Sequence, residues 1–184
     1  MRRAPINPLA NCLIAAIPSW RNLVALTIDP MQAPDGLFVG SLRLLRDSPD
    51  LRILRVNAAC ADGISAPVLS GIVRLRSLTL IDPNRAILDL LPDWLSRLSG
   101  TLRKLHLLVR TPPYRRIYFE SRSCRKDNCG SITPGVLQTI QPLVPQLESF
   151  ALGLSYSLED GHVLEFLSHL PRLQDLQLRY YWVS

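Results

Sequence analysis

The feature that most constrains this chain is an apolar triplet written six times, at positions 1, 4 and 6 of a short unit. Its members are Leu23, Leu26 and Ile28; Leu51, Leu54 and Val56; Leu75, Leu78 and Leu80; Leu102, Leu105 and Leu107; Leu147, Phe150 and Leu152; and Leu173, Leu176 and Leu178. Successive first members stand 28, 24, 27, 45 and 26 residues apart. In PDLRILRV (from Pro49), PQLESFAL (from Pro145) and PRLQDLQL (from Pro171), a proline precedes the triplet. Positions 4 and 6 are two apart, so on a strand they point to the same side. Position 1 lies at the strand's entrance and turns inward. Each unit therefore predicts a short strand that buries one face.

Between triplets the period changes from 2 to about 3.6, the helical value. Four stripes carry it: Val68, Leu69, Ile72 and Val73; Ile87, Leu88, Leu91, Trp94, Leu95 and Leu98; Val136, Leu137 and Ile140; and Val163, Leu164, Phe166, Leu167 and Leu170. Thr133-Pro134 reads as an N-cap followed by proline at the first helical position. Ser65 and Asp160 are candidate caps for their helices. Pro49, Pro145 and Pro171 each close a helix, because proline cannot continue one and restricts the residue before it.

A strand, a turn and a helix per unit, stacked in one direction, predict an α/β solenoid. Its parallel sheet lines the concave side and its helices the convex side. The 184 residues form one domain of about six units, with an inserted loop at 110–131 that accounts for the long step.

Composition narrows the classes of function. At 47% hydrophobic and 20% charged residues, the chain is that of a folded protein. The apolar run Leu9 to Ile17 is too short to span a bilayer and is broken by Asn11. It reads as a helix of the first unit rather than a cleaved leader. Cys12, Cys60, Cys124 and Cys129 do not make the framework of a small secreted scaffold, so an intracellular compartment, cytoplasmic or nuclear, is expected. Cys124 and Cys129 supply half of a tetrahedral zinc set with no second pair at suitable spacing, so no metal is expected. No cofactor is expected either.

The sequence resembles the leucine-rich-repeat pattern over nearly its whole length. It departs from the family at repeat position 9, where a frequent asparagine is replaced by Met31, Ala59, Pro83, Arg110, Ser155 and Tyr181. Leu158-Glu159-Asp160 is similar to the Ile-Thr-Asp turn of the cysteine-containing repeats found beside F-boxes. The stretch from Thr133-Pro134 through Ser155-Tyr156-Ser157 to Tyr180-Tyr181-Trp182 looks like fungal F-box/leucine-rich-repeat proteins. That resemblance implies the substrate-recognition region of a cullin-type ubiquitin ligase adaptor, a module that binds protein and catalyses nothing. The F-box itself would precede the repeats, and nothing before Leu23 has its length or pattern. A cullin-ligase linker subunit is thus a partner only through an F-box outside this chain. The uncapped final strand, Tyr180, Tyr181, Trp182 and Val183, is what a fragment of a longer protein would show. The alternative is a free-standing repeat scaffold without ligase docking.

In such a strand, positions 3, 5 and 7 face the concave solvent side. Positions 5 and 7 supply the candidate partner-binding residues Thr27, Arg55, Asn57, Thr79, Ile81, His106, Leu108, Gln177 and Arg179. Ile81 and Leu108 are expected to be adjacent and exposed, as an interface would have them. The net charge of +6 is concentrated in the insertion, where six basic residues meet only Glu120 and Asp127. Arg115, Arg116, Tyr118, Arg125 and Lys126 are the candidates there. Basic residues among aromatics bind single-stranded nucleic acid by phosphate contact and stacking. A solvated or protein-contacting loop is the plainer reading, and nucleic acid and membrane are not expected partners.

No phosphate loop, His-Glu-x-x-His, nucleophile elbow or dinucleotide fingerprint occurs. Gly153-Leu154-Ser155 lacks the trailing glycine of an elbow, and His106 beside a strand reads as a surface or packed residue. No enzyme is expected.

Overall fold

The computed structural model describes residues 22–28, 48, 50–57, 65–109, 132–154 and 158–180. Six strands form one parallel sheet in sequence order: β1 (Ala25–Ile28), β2 (Ile53–Asn57), β3 (Ser77–Ile81), β4 (Lys104–Leu108), β5 (Ser149–Leu154) and β6 (Asp175–Tyr180). The register aligns the repeat: Leu26, Leu54, Leu78, Leu105, Phe150 and Leu176 are successive partners across the sheet. The long step between β4 and β5 leaves this register unshifted, with Lys104 opposite Ser149.

A backbone device recurs at every strand entrance. The N–H groups of Arg52 and Ile53 both donate to the Val24 carbonyl, those of Arg76 and Ser77 to Arg52, and those of Arg103 and Lys104 to Arg76. Glu148 and Ser149 donate to Arg103, and Gln174 and Asp175 to Glu148, so that all ten bonds span 2.7–3.1 Å. Each position-2 carbonyl thus uses both lone pairs on the next unit.

Among the described residues, four helices alternate with the strands from β2 onward: α1 (Ser65–Ser70), α2 (Arg85–Leu98), α3 (Pro134–Ile140), continued by a 3-10 turn at Gln141–Leu143, and α4 (Asp160–Ser168). They pack on the sheet face made by positions 4 and 6, and their apolar stripes join that face in one core. In the inner units the triplet residues are buried, whereas Leu23, Leu26 and Ile28 at one end and Leu173 and Leu178 at the other are only partly so. Phe150 and Phe166 meet with ring centroids 5.0 Å apart, tying β5 to α4.

The α2 stripe matches expectation residue for residue: Ile87, Leu88, Leu91, Trp94, Leu95 and Leu98 are its buried set. Leu164 departs from the α4 stripe and is 66% exposed. Ile72 and Val73 lie beyond the end of α1. Thr133 caps α3, its hydroxyl accepting from the Val136 N–H at 3.4 Å, with Pro134 following. Asp160 is the first helical residue of α4 rather than its cap; Glu159 takes that place, and its N–H donates to His162 Nδ1 at 3.2 Å. Asn84 caps α2 by accepting from the Ile87 N–H at 3.0 Å. Asn84→Ala is expected to lower stability by about 1 kcal/mol, read as a shift in the urea midpoint at unchanged slope.

Candidate interaction surface

The sheet face opposite the helices carries positions 3, 5 and 7 in rows that run across the strands. Row 3 holds Ala25, Ile53, Ser77, Lys104, Ser149 and Asp175; row 5 holds Thr27, Arg55, Thr79, His106, Ala151 and Gln177. Row 7 includes Asn57, Ile81 and Leu108, then Gly153 and Arg179.

These rows differ in exposure. Ile81 and Leu108 are neighbours, as expected, but they are 0% and 6% exposed. With Ala151 they form a second apolar cluster, separate from the main core. The expectation that they form an exposed patch is corrected: this face has a small core of its own at the strands' C-terminal ends. Asn57 and Thr79 are buried with it. At Gly153 a Cβ would lie 2.7 Å from the Val109 nitrogen, so β5 approaches the chain leaving β4 too closely for any side chain. β3 ends in a left-handed turn at Asp82, with φ 49°, whose N–H donates to the Leu108 carbonyl at 2.7 Å. Aspartate tolerates that conformation better than most residues.

What remains accessible is part of rows 3 and 5, without Thr79, Ser149 and Ala151, and the β6 end. Thr27, Gln177 and Arg179 are exposed, and Arg55 and His106 are half-buried. Row 3 adds Ile53, Lys104 and Asp175, which a reading confined to positions 5 and 7 missed. The alternation that places position 5 on this face places position 3 there too. One residue earlier, position 2 sets Arg52, Arg76 and Arg103 immediately before successive strands. Arg103 pairs with Glu148 at 3.5 Å. Both signs of charge are present, with basic groups in excess.

A polar chain crosses β4, β5 and β6. The Ser149 hydroxyl donates to Asp175 Oδ2 at 2.8 Å, and His106 Nε2 lies 3.2 Å from Ser149 Oγ. Ser149 has one proton and gives it to the carboxylate, so His106 Nε2–H is the donor in the second bond. Burial holds the His106 pKa below its usual value. Lys104, Arg179 and Arg55 add to this, and Asp175 opposes them. Burial thus favours the neutral imidazole. In a nucleophilic triad the histidine stands between carboxylate and hydroxyl. Here the serine stands between, donating directly to the carboxylate, so the order of that triad is not reproduced.

Among the described residues, no group of three or more His, Cys, Asp or Glu side chains is placed to hold a metal ion. None of the described helices is long and apolar enough to cross a membrane. A furrow between α3 and α4, lined by Leu137, Gln141, His162 and Phe166, is too slight to enclose a ligand. Arg115, Arg116, Tyr118, Arg125 and Lys126, like Cys124 and Cys129, lie outside the described residues.

The sequence matches no family model and no curated protein. Among solved structures, the fold is similar to that of the leiomodin-1 actin-binding site 2, with a TM-score of 0.58 at 12% identity over 90% of each chain. At that identity the likeness concerns the fold alone.

Proposed function

We propose that this chain is a leucine-rich-repeat solenoid acting as a non-catalytic protein-binding module, the substrate-recognition region of an F-box-type ubiquitin ligase adaptor. The observation that carries the binding role is the unshifted register. It gathers single residues from six units into rows on one open face, with no enclosed cavity among the described residues that would suit a small substrate. Such a face is how repeat arrays present an extended surface. The adaptor role rests on the sequence resemblance alone. That the structural neighbour is itself named for binding a protein, actin, is in keeping with a binding role for this fold.

Arg55, Lys104 and Arg179 on the face, with Arg52 and Arg76 beside it, favour a partner segment bearing carboxylates. Reversing Arg55 and Lys104 together to glutamate is expected to abolish partner capture while leaving the urea midpoint within about 0.5 kcal/mol of wild type, as surface changes do. Leu108→Asp would not serve, because Leu108 is buried and the change would perturb folding. Proteins captured by the wild type and lost by the double variant should accumulate in cells depleted of this protein. Capture without accumulation would favour the free-standing scaffold. Capture that survives the double reversal would remove the face from consideration.

A further inference from the structure

Among the described residues β6 is the outermost strand of the sheet, and none of them pairs with its outer edge. Its position-4 residue, Leu176, is 41% exposed, whereas its equivalents Leu54, Leu78, Leu105 and Phe150 are fully buried. The adjacent terminal helix leaves Leu164 exposed. An open strand edge beside apolar surface is a template for another strand.

The sequence of this edge specifies which strand. The Asp175 N–H donates inward, to Glu148 of the strand before. Backbone groups alternate along a strand, so those of Leu176 and Leu178 point to the free edge. Let a second copy of β6 lie antiparallel, with the two-fold axis at Gln177. Leu176 then stands opposite the second copy's Leu178, and the pair exchanges both backbone hydrogen bonds; symmetry repeats this on the other side. Gln177 faces its own copy. Asp175 faces Arg179 of the second copy, twice, on the sheet face that carries the charged rows. The leucines meet on the helix side, where Leu176 lacks cover. Charges of one sign would repel a copy; here opposite signs sit at equal distances from the centre. The other edge strand, β1, has four residues and carries no charge.

We propose that this chain forms a two-fold symmetric homodimer by antiparallel pairing of its β6 edges, joining two six-stranded sheets into one of twelve. The pairing does not rest on the partner-binding reading, and Arg179 belongs to both surfaces.

The test is sedimentation velocity and light scattering of the full 184-residue chain over a range of micromolar concentrations. Asp175→Arg and Arg179→Asp are each expected to weaken the dimer about tenfold or more, because each places two pairs of like charges directly opposite. The double variant Asp175→Arg/Arg179→Asp restores opposite charges and should regain most of the wild-type affinity. Leu176→Pro removes an outward N–H while sparing the inward ladder to β5, and should give a folded monomer. A wild-type chain that stays monomeric overturns the proposal. So does a dimer indifferent to the single reversals, or a double variant no tighter than the singles.

Discussion

Leu105→Asp is expected to leave the chain without a cooperative unfolding transition in urea. Leu105 is fully buried at the middle of β4, paired with Leu78 on one side and Phe150 on the other. Truncating such a leucine costs about 2–5 kcal/mol, and burying an unpartnered carboxylate adds several more. Total stabilities are about 5–15 kcal/mol, so the sum consumes most or all of what holds the fold. Because strands contact their sequence neighbours, loss of β4 also uncovers β3 and β5. Leu176→Asp occupies the same repeat position on the edge strand, where Leu176 is 41% exposed, and should lower the stability of the monomer less than Leu105→Asp does. Circular dichroism and urea titration of both variants would check this, and a wild-type midpoint for Leu105→Asp would refute the assigned core.

The second large effect is expected at Trp94. The indole is fully buried in α2, and its Nε1–H donates to the Ile72 carbonyl at 2.8 Å, in the loop ahead of β3. One side chain thus fills the space between helix and sheet and fixes the connection from the previous unit. Trp94→Ala should lower stability by about 3–5 kcal/mol through lost packing and the cavity left behind. Trp94→Phe keeps much of the volume but strands the Ile72 carbonyl, and should cost about 1–3 kcal/mol. Urea midpoints in the order wild type, Phe, Ala would separate the two contributions. Equal costs for both variants would mean that the hydrogen bond, not the volume, is the larger share.

The strands were legible because their signal is local. Spacing 1, 4, 6 sets the face, and the same spacing in six units sets the register, so that Leu54, Leu78 and Leu105 fall in line. Helix α2 was legible for the same reason, its six apolar residues forming one stripe. Its cap was not singled out, although Asn84 stands three residues before Ile87, whose N–H it accepts. The failures have a different origin. Ile81 and Leu108 follow the alternation that marks a solvent face, yet they are buried, because alternation says which side a residue points to and not what covers that side. Leu164 fits the α4 period and is exposed, because period says which residues share a stripe and not what packs against it. The chain from His106 through Ser149 to Asp175 joins units that are 43 and 26 residues apart in sequence, and no short motif encodes it.

The unshifted register also makes the sheet a measuring device. Parallel strands stand about 4.8 Å apart, so Arg55 on β2 and Arg179 on β6, four strands on, are separated by roughly 19 Å along the sheet. An extended peptide advances about 3.3 Å per residue. Carboxylates about six residues apart in such a ligand would reach both arginines at once. Loop lengths between strands can vary, as the step from β4 to β5 does, without altering that interval. Under the proposed binding role, selectivity for the spacing of charges in a partner would follow from strand pitch, and the intervening segments could change without resetting it.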